Sequence, residues 1–289
     1  LFVAGLKLGA VIALSAVGLS LIFAVTGLVN FAHGEMVTLG AVFAYFFHTS
    51  EAGPGWSLIL AAIPAVLLGA AIGWAQDRSI WRPLRRRNMG LVSMMVVSIG
   101  LSFALRHIIL VIFGGQRRLY ADYTGQGPIE LLGIPVVPKH LVTIVVALVV
   151  LGAIGLFLQR TKVGTALRAV SDNVDLAESS GIDVNRVISL TWILAGGLAA
   201  LGGIFFGLNE AVQWDMGFRL LLLIFSAVVL GGLGTAYGAM LGGFVVGVAV
   251  EMSTLFVASE LKTAIGLLLL IVILLFRPQG ILGSRERIG

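Results

Sequence analysis

The sequence has no cysteine and very little charge. Without cysteine, disulfides, thiolate metal sites and cysteine nucleophiles are excluded. Only 11% of its 289 residues are charged and 58% are hydrophobic, with a mean hydropathy of +1.05. Soluble domains have about 25% charged residues, so the composition excludes a water-soluble globular protein. It predicts an all-α polytopic membrane protein.

Two other features of the composition concern partners. The formal net charge of +5 is typical of a multi-pass membrane protein, whose cytoplasmic loops retain Lys and Arg. We therefore expect membrane lipid, and no nucleic acid, as its partner. The 38 glycines fit helices that approach one another closely in the bilayer.

The apolar runs give the candidate spans 1–28, 36–48, 57–75, 91–113, 140–158, 187–207, 219–231, 238–257 and 263–276. Runs 36–48, 219–231 and 263–276 are short, because their helices would rise only about 20 Å and the hydrocarbon core is about 30 Å thick. They must extend into neighbouring residues or form half-helices. The sequence predicts about eight or nine transmembrane or half-membrane helices in a single transmembrane domain, 1–289.

Charge asymmetry predicts the orientation. Arginines dominate the segment after Ala75 and the C-terminal tail, with Asp77 and Glu286 as the acidic exceptions: Arg78, Arg82, Arg85, Arg86, Arg87, Arg277, Arg285 and Arg287. Both segments should be cytoplasmic, and the even number of spans between them is consistent with that. The same counting makes the C-terminus and 159–187 cytoplasmic, and 114–139 and 208–218 extracytoplasmic. The Gly- and Pro-rich 114–139 loop is also a candidate for a short hairpin.

The chain contains a possible internal repeat of two halves. Residues recur at an offset of 204, as from Val25 to Val229; the matching positions in the first half are Val25, Gly27, Ala32, Gly34, Met36 and Val42. Both copies interrupt an apolar run. Interrupted segments at corresponding positions of two halves point to a transport site.

The first interruption concentrates polar groups in an apolar region. Asn30, Phe31, His33, Gly34 and Glu35 are candidates for lining a translocation path or gate, because a carboxylate at membrane depth must be paired or face water. The alternative is an ordinary helix end, capped by Asn30, with Glu35 among the headgroups. No second histidine stands at a metal-binding spacing such as HExxH, so we expect no metal.

The second interruption contributes Gly232, Gly234 and Tyr237 as further path candidates. No Gly-Lys-Ser/Thr follows, so the chain has no P-loop with which to hydrolyse ATP. A non-helical glycine turn is tolerated at membrane depth where protein or a water-filled cavity surrounds it. A structural turn is the alternative interpretation.

The 159–187 loop carries an amphipathic pattern. Apolar Leu167, Val170, Val174 and Ala177 predict one helix over 165–180. Gly181 would end that helix in the left-handed conformation, and Asp183 would cap the next one. The helix either docks a cytoplasmic partner or lies on lipid headgroups.

The apolar runs contain few ionisable residues, among them Arg106, His107 and Glu251. Arg106 either snorkels or pairs with Glu251. An ion-coupled secondary transporter would need more such groups, and an intramembrane enzyme would need a nucleophile and base that no motif supplies. We therefore expect no catalytic residues.

Several motifs together resemble one family. They are Val29–Glu35, the stretch from Arg168-Ala169-Val170 to Gly181-Ile182, Gly231–Gly234, and the terminal Leu275-Phe276-Arg277-Pro278-Gln279-Gly280. In this order they resemble the LivH-type permeases of branched-chain amino acid ABC transporters. The resemblance implies a subunit of a bacterial importer in the cytoplasmic (inner) membrane. Its partners would be a second, LivM-type permease, two ABC ATPase subunits and an extracytoplasmic substrate-binding protein.

The resemblance also implies which steps of transport this chain performs and which its partner subunits perform. It assigns ATPase coupling to Ala177, Glu178, Gly181 and Ile182, although ABC importers typically have Glu-Ala-Ala where this chain has Ala177-Glu178-Ser179-Ser180. The chain would bind no cofactor, because ATP and Mg belong to the ATPases. Relatives carry branched-chain amino acids, urea, short amides or aromatic acids, and no residue here discriminates among them.

Overall fold

The computed structural model describes residues 1–51, 53–123, 125–131, 134–258, 261–277 and 279–283. Arg285, Glu286 and Arg287 of the tail and Pro278 of the terminal motif lie outside this part. The helices are α1 Phe2–Thr26, α2 His33–His48, α3 Leu58–Gln76, α4 Arg82–Arg86, α5 Leu91–Phe113, α6 Pro138–Arg160, α7 Lys162–Asp172, α8 Val174–Ser179, α9 Val184–Asn209, α10 Met216–Gly231, α11 Ala236–Ser253 and α12 Lys262–Phe276.

The helices confirm an all-α polytopic membrane protein. Six are long and apolar enough to cross a bilayer: α1, the continuous segment Leu58–Arg86, α5, α6, α9 and α11. Helices α10 and α12 are apolar but shorter, and α2 has 16 residues. The number of crossings, eight or nine, stays a prediction.

The interior of the bundle is formed by α1, α9 and α11. A Cβ added at Gly9 of α1 would come within 2.8 Å of the Cα of Phe244 in α11, and a Cβ added at Gly247 of α11 would overlap the backbone of Gly9. This approach suits helices that associate in lipid by close packing. Helices α3, α5, α6 and α12 lie outside and expose apolar side chains such as Val111 and Leu275.

Two opposite ends of the bundle can be distinguished by their contacts. At the hairpin end, Arg118 and Val212 exchange backbone hydrogen bonds, and Lys7 at the start of α1 pairs with Glu210. The strands β1 Ile129–Leu131 and β2 Ile134–Val136 form an antiparallel hairpin there, as the sequence predicted. Burial raises the pKa of Tyr120, whose hydroxyl donates to the carbonyl of Ala41 at this end.

The opposite end, the tail end, gathers α4, α7, α8, the start of α9 and the C-terminal tail. The amide of Ile281 donates to the carbonyl of Leu230 at the end of α10. The π-helical turn Asp77–Trp81 joins α3 to α4, and the buried carboxylate of Asp77 accepts hydrogen bonds from Arg85 and from Ser189 of α9, each at 2.6 Å. The segments at each end are those that the charge pattern assigned to one side of the membrane.

The predicted single helix over 165–180 is wrong. The chain breaks at Asn173, whose backbone is extended (φ −160°) and whose side chain accepts a hydrogen bond from the amide of Leu176. Asparagine favours such caps because its side chain competes with the helical backbone bonds. The break also turns Val174 outward, to 41% exposure, while Ala177 stays buried.

Candidate translocation site

The first interruption leaves the chain non-helical within the bundle. Helix α1 ends at Gly27, which has the left-handed conformation (φ +66°), and α2 begins at His33. The ring Nε2 of His33 lies 2.9 Å from the carbonyl oxygen of Ser15, which is in the middle of α1. Helix α2, which has 16 residues, therefore starts near the mid-depth of α1, after a non-helical segment, residues 27–32.

Polar side chains satisfy backbone groups of this non-helical segment. The amide of Phe31 donates to the hydroxyl of Ser98 (3.1 Å), and that of Leu28 donates to Thr26 (3.2 Å). The side-chain oxygen of Asn30 accepts from the amide of Ala32 at 3.1 Å. Because buried amides need partners, α5 stabilises the opening through Ser98. The alternative in which Asn30 caps α2 is wrong, because Ala32 is the N-cap residue of α2 and has no side-chain cap bond, and the Asn30 side chain closes a turn before the helix instead.

Glu35 is fully buried and forms an ion pair with α5. Its Oε1 accepts from Nε of Arg106 (3.0 Å) and from the hydroxyl of Ser102 (3.1 Å). The guanidinium carbon of Arg106 lies 3.6 Å from the ring centroid of Phe218 at the start of α10. The pair therefore joins α2, α5 and α10 in the bundle interior.

This geometry corrects two of the sequence-based alternatives. Glu35 is not at the headgroups, since no part of it is exposed. Arg106 neither snorkels nor pairs with Glu251, because Glu35 neutralises it and Glu251 binds Lys262 instead, at 2.9 Å. The pairing of Glu35 with Arg106 was not predicted, because the two residues are far apart in the sequence.

Sequence reasoning missed the polar stripe of α5. The stripe consists of three buried residues that recur every fourth position, Ser98, Ser102 and Arg106. They lie against α2 and the non-helical segment, whereas the rest of α5 is largely exposed. The signal was present in the sequence, because one polar face on an otherwise apolar helix marks the side that faces protein.

The predicted residues of the first interruption have separate surroundings. Asn30 and His33 are fully buried, and His33 bonds to α1. Gly34 lies against the carbonyl of Gly217, where α2 crosses α10. Phe31 packs on Phe225, with ring centroids 5.1 Å apart.

The second interruption faces other partners. Gly232 (φ +108°) lies against Gln279 and Gly283 of the tail, and Gly234 (φ +79°) lies near the end of α1. The hydroxyl of Tyr237 donates to the carbonyl of Gly155 in α6 at 2.8 Å. These three residues are not brought together with Glu35.

An apolar cavity of about 260 Å³ nevertheless connects the two interruptions. Phe31 and Val29 line it from the first, Leu233 from the second, and Phe225 and Leu270 from α10 and α12. Within the described residues, no group of three or more His, Asp or Glu could hold a metal ion.

The predicted coupling residues form a compact helix end. The amide of Gly181 (φ +85°) donates to the carbonyl of Glu178 (2.9 Å), and that of Ile182 donates to Ala177 (3.1 Å). This is a Schellman motif. Asp183 caps α9, as predicted, by accepting from the amide of Arg186.

A helix that starts at membrane depth after an unwound segment, together with a buried ion pair, is typical of membrane transport proteins. The comparisons identify the family. Residues 1–274 match the family described as "Branched-chain amino acid transport system / permease component". The chain belongs to this family.

Individual relatives agree with this. The chain is 31% identical to the branched-chain amino acid permease LivH of Escherichia coli and to BraD of Pseudomonas aeruginosa, over 98% of this chain and 94% of each relative. It is 28% identical to a probable LivH of Methanocaldococcus jannaschii, over 93% of this chain and 88% of that protein. All three are named as transport permeases, which fits a chain that is not an enzyme.

A solved structure supports the fold. PsaBC from Streptococcus pneumoniae, in complex with Fab, matches with a TM-score of 0.51 and 16% identity, covering 96% of this chain and 91% of that chain. At this identity the likeness concerns the fold alone.

Proposed function

We propose that the chain is a permease subunit of an ATP-driven bacterial importer for branched-chain or related hydrophobic amino acids. It would form half of a translocation path in the cytoplasmic membrane, with a LivM-type permease beside it. Two ATPases would bind ATP and Mg on the cytoplasmic side, and an extracytoplasmic binding protein would deliver the substrate. The names of the relatives support the substrate class.

The helix pair α7–α8 is the observation that carries this proposal. Leu167 and Val170 of α7 and Ala177 of α8 are buried, so the pair is fixed to the bundle. Leu176 is 65% exposed on α8, at the tail end. An anchored helix that presents an apolar side chain to the cytoplasm suits docking by an ATPase.

Coupling then requires that the ATPase bind α8 differently in its two states, because equal binding shifts no equilibrium. Closure of the two ATPases would move α8, and with it the starts of α9 and the neighbouring helices. The path would open along the non-helical segment 27–32. Here α5 contacts the rest of the chain through the stripe of Ser98, Ser102 and Arg106.

The docking step can be tested by changing one side chain. We expect Leu176→Glu to abolish co-purification of the ATPases and ATP-dependent L-leucine uptake in proteoliposomes, because a carboxylate replaces the exposed apolar contact. Thr165→Glu, on the exposed face of α7, is the matched control and should leave both intact. Normal uptake by the Leu176 variant would contradict the docking role.

The energy source separates this proposal from an ion-coupled secondary transporter. In the described structure Glu35 is neutralised by Arg106, and Glu251 by Lys262, so neither is a free carboxylate. ATP-dependent uptake should survive an uncoupler, and its collapse would favour ion coupling. Competition by urea, short amides or aromatic amino acids would identify another substrate within the same family.

A further inference from the structure

A second cavity opens at the hairpin end, away from the interrupted helices. It has a volume of about 370 Å³ and lies between α1, α9, α10, α11 and α12. Charged side chains of both signs form its rim, and apolar side chains form its floor. The argument rests on Glu251 and Lys262 of the rim and on Leu223 and Val250 of the floor.

The central charges of the rim neutralise each other. Lys262 at the start of α12 donates to both carboxylate oxygens of Glu251, at 2.9 and 3.0 Å. Glu251 is 7% exposed, whereas a third of the Lys262 side chain is accessible. The cavity therefore presents one anion and one cation beside each other, above buried Leu223 and Val250.

We propose that this cavity, the vestibule, binds the zwitterionic head group of a hydrophobic amino acid, with Glu251 receiving the ammonium and Lys262 the carboxylate. The inference rests on the proposed function, because the vestibule faces the side from which a binding protein would deliver substrate. Binding replaces one protein ion pair with two ion pairs to the ligand, so no charge is left unpaired. The apolar side chain then lies on Leu223 and Val250, which are already desolvated.

Ligand chemistry tests the vestibule without altering the protein. A ligand that binds the folded chain raises its thermal denaturation temperature in detergent. We expect L-leucine to do so, and 4-methylpentanoate and 3-methylbutylamine, each lacking one of the two charges, to bind at least tenfold more weakly. Glycine, which has both charges and no side chain, should also bind at least tenfold more weakly.

Variants test the assigned residues. Glu251→Gln and Lys262→Gln should each lose the stabilisation by L-leucine, while Asp122→Asn, a control at the same end but outside the cavity, should keep it. The exchange Glu251→Lys with Lys262→Glu retains an ion pair but reverses the charges seen by the ligand. Restored L-leucine binding in the exchanged protein would indicate a structural pair and overturn the assignment.

The vestibule and the proposed function fail in different ways. If the wild-type complex takes up L-leucine but the isolated chain is not stabilised by it, the vestibule is wrong and the importer stands. If L-leucine stabilises the chain in a manner that depends on Glu251 but ATP drives no uptake, the proposed function is wrong and the site stands.

Discussion

The ion pair between Glu35 and Arg106 is the strongest constraint at the scale of single residues. Both side chains are buried, and the guanidinium also donates to Ser102 at 3.2 Å. A single charge at the centre of a bilayer costs about 2.5 to 3.5 kcal/mol on insertion scales, so each residue requires the other. Neither is free to bind solvent ions while the pair persists.

Removing only the cation should destabilise the protein strongly. We expect Arg106→Leu to lower the free energy of unfolding by about 3 to 5 kcal/mol, because it leaves Glu35 buried without its partner. Thermal denaturation in detergent, followed by size exclusion, measures the loss. His107→Ala, at the exposed neighbouring position, is the control.

A second variant tests the cause of that loss. Adding Glu35→Gln to Arg106→Leu should recover most of the stability, since no buried charge remains. Equal stability of the single and double variants would show that the charge of Glu35 is not responsible. Glu35→Gln alone should also lower the denaturation temperature, because it leaves the buried Arg106 without its partner.

Gly34 provides a packing test. In a helix, alanine is favoured over glycine by about 1 kcal/mol. Gly34→Ala should nevertheless lower the denaturation temperature, because its Cβ would overlap the carbonyl of Gly217. Gly152→Ala in α6, where nothing lies within 4 Å of the added Cβ, should be neutral or stabilising. Two equal shifts would contradict the close crossing of α2 and α10.

At the scale of elements, the proposed coupling role rests on α8 and the turn that follows it. The turn requires a positive φ at position 181, and a residue with a side chain costs about 1 to 2 kcal/mol in this left-handed conformation. The added Cβ would meet nothing within 4 Å, so the effect of a substitution is confined to the backbone of this turn. Ala177, Glu178 and Ile182 depend on that turn for their positions.

We expect Gly181→Val to uncouple transport, with uptake and transport-stimulated ATP hydrolysis both lost and the denaturation temperature nearly unchanged. Gly90→Val is the matched control, because Gly90 has φ −63° and also has open space around it. Normal uptake by the Gly181 variant at normal expression would remove this glycine from the coupling role.

Much of the element scale could be predicted from the sequence. Apolar length located α1, α5, α6 and α9, and Gly181 and Asp183 marked a real helix end and cap. The break at Asn173 was missed because apolar periodicity continues across it, while the local side-chain cap acts against that periodicity. The pairing of Glu35 with Arg106 was missed because it joins residues 71 positions apart.

At the scale of the whole molecule, the two ends of the bundle separate the vestibule from the coupling helices. The apolar cavity beside Phe31 lies between the two ends and is lined in part by the non-helical segment 27–32. In the proposed mechanism, reception of the ligand, passage and coupling therefore lie along one axis of the chain. Contacts between elements distant in sequence create this arrangement, so no local pattern predicts it.

The absence of cysteine allows the orientation to be measured directly. Single substitutions Gln116→Cys at the hairpin end and Ser180→Cys at the tail end each introduce one exposed thiol. In intact spheroplasts a membrane-impermeant maleimide should label Gln116→Cys, and Ser180→Cys only after lysis. The reverse pattern would invert the predicted topology.

The ion pair also bears on how the chain is made. A ribosome produces α2, with Glu35, well before α5, with Arg106 and Ser102. Until α5 emerges, α2 carries an uncompensated carboxylate into the translocon and gains little from entering lipid. Stable integration of α2 should therefore wait for α5. The bundle can close around residue 35 only once residue 106 has been synthesised.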